Sequence, residues 1–183
     1  MITLTEKLIE ETLPRIDKGL RSYCWLQNNF INCNVSTNRE FQARYIAFYR
    51  VRRNEQWRKK YFSLMESTKK AHNVDFGYAL HWLFKNTGNF EASFASKLVA
   101  TLNPHVPVID KFVLANMDLH LPYYYEDDRE RKIVAVYKEL IDRFNGLMNT
   151  PIIKVLYSRF DQYYPCMNIS NLKKVDLVLW QLR

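Results

Sequence analysis

Glycine and proline are both scarce in this 183-residue chain, which has only 4 and 6 of them. So few turn formers exclude a turn-rich sandwich or barrel and favour long helices. Cysteine is equally sparse. Cys24, Cys33 and Cys166 show no metal-ligand spacing, and an odd number argues against a disulfide framework. Cys24 and Cys33 could pair, or all three could be idle thiols in a reducing cytosol. A four-cysteine iron–sulfur cluster is excluded, because one ligand is missing. No apolar run approaches the ~20 residues of a membrane span. Residues 1–20 alternate charge with apolar side chains and lack the continuous apolar core of a signal peptide. The expectation is a soluble, cytoplasmic protein with no membrane contact and no cofactor.

What is present points to a folded, basic, helical protein. Hydrophobic residues make up 48% and aromatics 15%, which excludes general disorder. The length fits one domain over residues 1–183, either one compact unit or two small lobes around a cleft. The formal charge of +8 suits a polyanionic partner, of which nucleic acid is the commonest. Apolar residues at three-to-four spacing predict an all-α fold of about eight helices. Leu8, Ile9, Leu13, Ile16, Leu20, Tyr23 and Leu26 form one stripe that Pro14 interrupts or restarts. Residues 28–38 are asparagine-rich and read as a loop. Further helices are expected from Thr37 or Asn38 to a break near Asn54, then over 55–70, 73–85, 91–102 and 110–117. A long helix is expected over 128–144 with Gly146 as its stop, then helices over 151–160 and 171–183.

Residues 39–60 concentrate the charge. Arg39, Arg44, Arg50, Arg52, Arg53, Arg58, Lys59 and Lys60 face only Glu40 and Glu55, a local charge of +6. Phe41, Tyr45, Phe48, Tyr49, Trp57 and Tyr61 are interleaved with them or follow them. Arginines can fork onto phosphates while exposed aromatics stack on bases. The alternative makes the aromatics a core stripe and the arginines a solvated face. Arg50, Arg52 and Arg53 sit beside the expected helix break, where several cations could reach one groove.

Residues 86–113, NTGNFEASFASKLVATLNPHVPVIDKFV, hold the one motif-like stretch. A helix, a short turn with a lone glycine, a second helix and then Val106-Pro107-Val108-Ile109-Asp110 resemble the helix-hairpin-helix base-excision DNA glycosylases. In that superfamily a hairpin holds the phosphate backbone, and a catalytic aspartate follows a short valine-proline segment. The resemblance implies that Asp110 is the catalytic carboxylate, with Gly88 and Lys97 beside the DNA backbone. A fixed carboxylate can stabilise oxocarbenium character on the sugar and help activate water. The base must be flipped from the stack into a pocket, for which Tyr49, His81 and Trp82 are candidate walls. The family hairpin carries two glycines where this chain has Gly88 alone. The positions of the family's lysine nucleophile hold Glu91 and Ala92 here, which implies a monofunctional, water-using enzyme. Lys97 does not align with that lysine and can equally be a solvated helix residue. Asp110 can equally be a plain helix cap.

The chain also resembles a group of bacterial proteins that share the closing pattern found at Lys173, Asp176, Leu177, Leu179, Trp180 and Gln181, a resemblance that brings no established activity. The tail reads as a docking helix with Trp180 in the core. The histidines, His72, His81, His105 and His120, have no metal-ligand spacing, and no metal site is expected. Glu126, Asp127 and Asp128 read as an acidic helix start rather than a cation site. Two other functions fit the pattern less fully: a non-catalytic nucleic-acid-binding domain and a protein-interaction module.

Overall fold

Ten α-helices and a 3₁₀ turn make up the regular structure of the computed structural model, which describes residues 2–71 and 74–182. In chain order they are α1 (Glu6–Thr12), the 3₁₀ turn (Leu13–Arg15), α2 (Asp17–Phe30), α3 (Arg39–Tyr49), α4 (Glu55–Thr68) and α5 (Phe76–Thr87). There follow α6 (Ala92–Leu102), α7 (Lys111–Asn116), α8 (Arg129–Met148), α9 (Pro151–Tyr163) and α10 (Asn171–Gln181). There is no strand among the described residues. The all-α expectation holds. The helices outnumber the expected eight partly because Pro14 splits the first stripe into α1 and α2. His72 and the expected helix start at Asn73 lie outside the described residues.

The helix starts follow from local chemistry. Thr5, Asn38, Asn54, Asp75, Asp110 and Ser170 each accept a backbone N–H two or three residues on, satisfying donors that a helix start leaves bare. Two boundaries differ from the sequence reading. The asparagine-rich segment begins inside α2, where the Asn29 side-chain amide donates to the Trp25 carbonyl at 2.8 Å. Its asparagines therefore finish a helix before they form a loop. Gly146 lies within α8 rather than ending it. The helix runs two residues further, to Met148, and Thr150 is extended ahead of Pro151. Arg50 closes α3 in the left-handed region, at φ 52° and ψ 50°. That conformation is uncommon for a residue with a side chain and turns the chain sharply toward α4.

The aromatics of the basic segment are mostly core. Phe41, Tyr45, Tyr61 and Phe62 are fully buried, and Trp57 nearly so. Tyr45 and Tyr61 meet hydroxyl to hydroxyl at 2.8 Å, and Tyr61 donates onward to the Phe94 carbonyl at 3.0 Å. This chain joins α3, α4 and α6 through the centre of the molecule. The cations of the segment stay at or near the surface, so the solvated-face alternative describes its helices. Residues 172–179 of α10 are buried all round, and the helix packs against α7 and α9. Among the described residues no helix is long and apolar enough to cross a membrane.

Removing the Tyr61 hydroxyl takes a buried hydrogen-bond partner from the Tyr45 hydroxyl and from the Phe94 carbonyl. Tyr61→Phe is expected to cost about 1–3 kcal/mol. The Tyr45→Phe/Tyr61→Phe pair should cost clearly less than the two single losses added together. Urea denaturation of the three variants checks this, and strict additivity would show that the two hydroxyls are not coupled.

Candidate functional site

The segment from α6 to α7 is held by side chains rather than by regular backbone pairing. Pro104 stops α6 and Pro107 keeps the connector extended. Val108 and Ile109 are buried, so their backbone groups need partners. Ser96 Oγ accepts from the Ile109 N–H at 2.8 Å, and Ser93 Oγ donates to the Ile109 carbonyl at 2.8 Å. Tyr137 on α8 donates its hydroxyl to the Pro107 carbonyl at 3.0 Å. Asp110 follows at once and caps α7, its Oδ1 accepting from the Phe112 N–H at 2.9 Å. The cap engages one carboxylate oxygen and leaves Oδ2 outside it.

Asp110 lines a cavity of about 120 Å3. Lys97, one turn beyond Ser93 on α6, lines it as well, with Tyr49 and Arg50 from the end of α3 and Phe112 from α7. α10 closes the far side with Lys173, Asp176 and Trp180. α10 is fixed there at both ends. Ser170 donates its hydroxyl to the Pro104 carbonyl, and the Asn116 amide donates to the Leu179 and Leu182 carbonyls at 2.8 and 2.9 Å.

The electrostatics of this cavity are unusual for a solvated protein surface. Lys97 is only 8% exposed, which corrects the solvated-helix reading of that residue. Its ammonium lies 4.9 Å from the Phe94 ring centroid and 5.6 Å from that of Tyr49. No hydrogen bond holds it among the described residues. Burial drives its pKa down to about 8, against the upward pull of the Asp110 and Glu91 carboxylates. Lys173 and Asp176 are also buried, but they form an ion pair at 2.6 Å. Burial, helped by the Asp176 charge, raises the Tyr49 phenol well above its ordinary value and keeps it neutral.

The structure thus brings Asp110, Lys97, Tyr49 and Arg50 to one place. Arg52, Arg53, Gly88, His81 and Trp82 do not line the cavity. Arg53 instead forms a two-pronged pair with the buried Glu91 carboxylate, at 3.0 and 2.9 Å. Arg52 is exposed on the same turn. Gly88 ends α5 in the left-handed region, at φ 77°, and its N–H returns to the Phe84 carbonyl. His81 pairs with Glu130 of α8 at 3.0 Å, and Trp82 is half-buried against the core. Trp180 is half-buried at the cavity wall rather than in the core. Reasoning from sequence did not find Ser93, Ser96 or the roles of Lys173 and Asp176. Two lysines and an aspartate on an otherwise apolar tail were the available signal. Among the described residues no group of three His, Cys, Asp or Glu side chains is placed to hold a metal ion. No protein-family model, curated protein or solved structure matches this chain.

A buried amine with a lowered pKa costs stability wherever the folded state must carry its charge. Between pH 8 and the ordinary lysine value of 10.5 the unfolded chain binds more protons, so this cost is relieved as pH rises. Lys97→Met should therefore stabilise the fold at pH 7, by at most about 3 kcal/mol. The advantage should shrink to little or nothing above pH 10.5. Thermal melts of both proteins at pH 7 and pH 10.5 provide the test, and a destabilised variant at pH 7 would contradict it.

Proposed function

We propose that this protein is a DNA glycosylase-like enzyme that releases a damaged or modified base by water-dependent cleavage of the N-glycosidic bond. The observation that carries this reading is that Asp110 and Lys97 line one aromatic-walled cavity. At about 120 Å3 the cavity is somewhat smaller than one of about 150 Å3 that holds a benzene ring, which limits a flipped nucleotide to placing a single ring there. Tyr49, Phe112 and Trp180 supply flat walls for stacking, and Val108 and Val113 add apolar lining.

The chemistry follows from the two charges. As the base leaves, positive character builds on the sugar, and the Asp110 carboxylate stabilises it in a site with little water. Water then bonds to the anomeric carbon and passes a proton to Asp110. Lys97, with a pKa near 8, is mostly protonated at neutral pH and can give its proton to the departing base. Return of the proton from Asp110 to Lys97 restores both groups, and the net reaction adds one water across one bond. A lysine in open water, with a pKa of about 10.4, would be a poorer acid for this step. Glu91 occupies one of the two sequence positions of the family's lysine nucleophile, and its carboxylate is engaged by Arg53. That fits the monofunctional course.

Asp110→Asn keeps a cap, because asparagine caps helices about as well as aspartate. It removes the charge on which bond cleavage depends. The variant should bind DNA within about twofold of wild type while base release falls by a factor of ~10³, a loss of the size seen on removing one stabilising group. The measurement is abasic-site formation on duplexes that each carry one of a panel of damaged bases. Equal release by the two proteins would remove Asp110 from the reaction.

A further inference from the structure

The cavity opens beside a second concavity with which it shares Phe48, Arg50 and Trp180. This groove, of about 450 Å3, lies between α2, α3 and the end of α10. Its rim is cationic. Arg15, Lys18, Arg44 and Arg50 line it, all four are exposed, and no Asp or Glu is among its lining residues. Arg15, Lys18 and Arg50 form no ion pair among the described residues. Arg44 pairs with Glu40 at 2.8 Å on the exposed face of α3, and its guanidinium carbon lies over the Trp25 ring, 4.1 Å from the centroid. The Arg50 guanidinium sits 5.7 Å from the centroid of the Trp180 ring, at the boundary between groove and cavity.

The groove's floor is shaped by small residues. Gly19, Ser22 and Ala47 line it, and a Cβ built on Gly19 meets nothing within 4 Å. Glycine inside a helix is less stable than alanine. No crowding from a neighbouring atom requires it here, since the space above it is empty. What its small size does is keep the groove open.

We infer that this groove is the track for the sugar-phosphate backbone of the DNA strand whose flipped nucleotide enters the cavity. The inference rests on the glycosylase-like reading for its occupant. Charge complementarity and the shared wall select a polyanion that runs directly into the site. A phosphate on Arg50 would stand at the cavity mouth, and the preceding phosphates would follow toward Arg44, Lys18 and Arg15. The Arg52–Arg53 side of the basic segment is then not the main contact, since Arg53 is engaged by Glu91.

The test is fluorescence anisotropy with a labelled duplex across a salt series. Three variants are compared with wild type: Arg15→Glu/Lys18→Glu, Gly19→Gln, and Lys138→Glu/Lys154→Glu as a remote control of equal charge change. The groove reversal should weaken binding at least ~10-fold and flatten the salt slope by about 2, near one counterion per lost phosphate contact. Gly19→Gln, which changes no charge, should also weaken binding severalfold. The remote control should stay close to wild type. Equal losses in both reversals, or no loss in Gly19→Gln, would overturn the track. Base release distinguishes the two proposals. Groove variants that bind weakly but release base normally at saturating protein support both. Groove-dependent binding with no base release by wild type keeps the track and removes the enzyme. Wild type that does not bind at all removes the track together with its DNA occupant.

Discussion

The clamp on Ile109 is the constraint from which the rest of the site follows. An extended, apolar connector cannot pair its own backbone, and burying it bare would cost more than its side chains return. Ser93 and Ser96, three residues apart on one face of α6, take up both backbone groups of Ile109. Lys97 belongs to the same turn. A single helix surface therefore sets the position of Asp110 and carries the amine that faces it. Tyr137 holds the connector from the other side through Pro107. The carboxylate inherits the rigidity of three helices, whereas a loop residue would have to be ordered each time a ligand bound.

α10 departs from the usual rule for a surface helix. Lys173, Lys174 and Asp176 are all buried on it. Two of these charges are matched within the helix, and Lys174 reaches Asp161 of α9 at 2.6 Å. Buried pairs of this kind return little net stability compared with apolar residues of the same size. They do fix direction, since losing one partner leaves an uncompensated charge. Here that specificity falls on the helix that closes the cavity, and Trp180 and Asp176 reach the site from it.

Much of the fold was legible because helix periodicity and caps are local signals. Asp110 and Asn54 announce themselves by residue type and position. Asp110, as the single carboxylate after a proline-bounded connector, was legible for the same reason. Arg50 follows from the break in the basic segment and Tyr49 from the search for a ring-bearing wall, although the left-handed turn that closes α3 at Arg50 has no sequence mark. What could not be read was tertiary. Nothing in the sequence says that Ser96 meets Ile109, or that the tail returns to the middle of the chain. His81 and Trp82 carry rings close to the motif, but α5 directs His81 to Glu130. The local duty of Gly88 is to end a helix in the left-handed region.

The three buried lysines separate structural charges from the one whose environment calls for another explanation. Lys173 and Lys174 each have a carboxylate at 2.6 Å, which offsets much of their desolvation. Lys97 has only aromatic faces and the longer-range pull of Asp110 and Glu91, and its lowered pKa records that the balance is unfavourable. A methionine would fill the same space at lower cost, so packing alone does not account for the amine. With Lys97, Lys173 and Arg50 set against Asp110 and Asp176, the lining carries one surplus positive charge. Such a cavity tolerates a neutral ring inside while drawing an anion to its mouth. The proposed substrate, a base attached to a phosphodiester, would present that combination, its ring toward the aromatic walls and its phosphate toward Arg50.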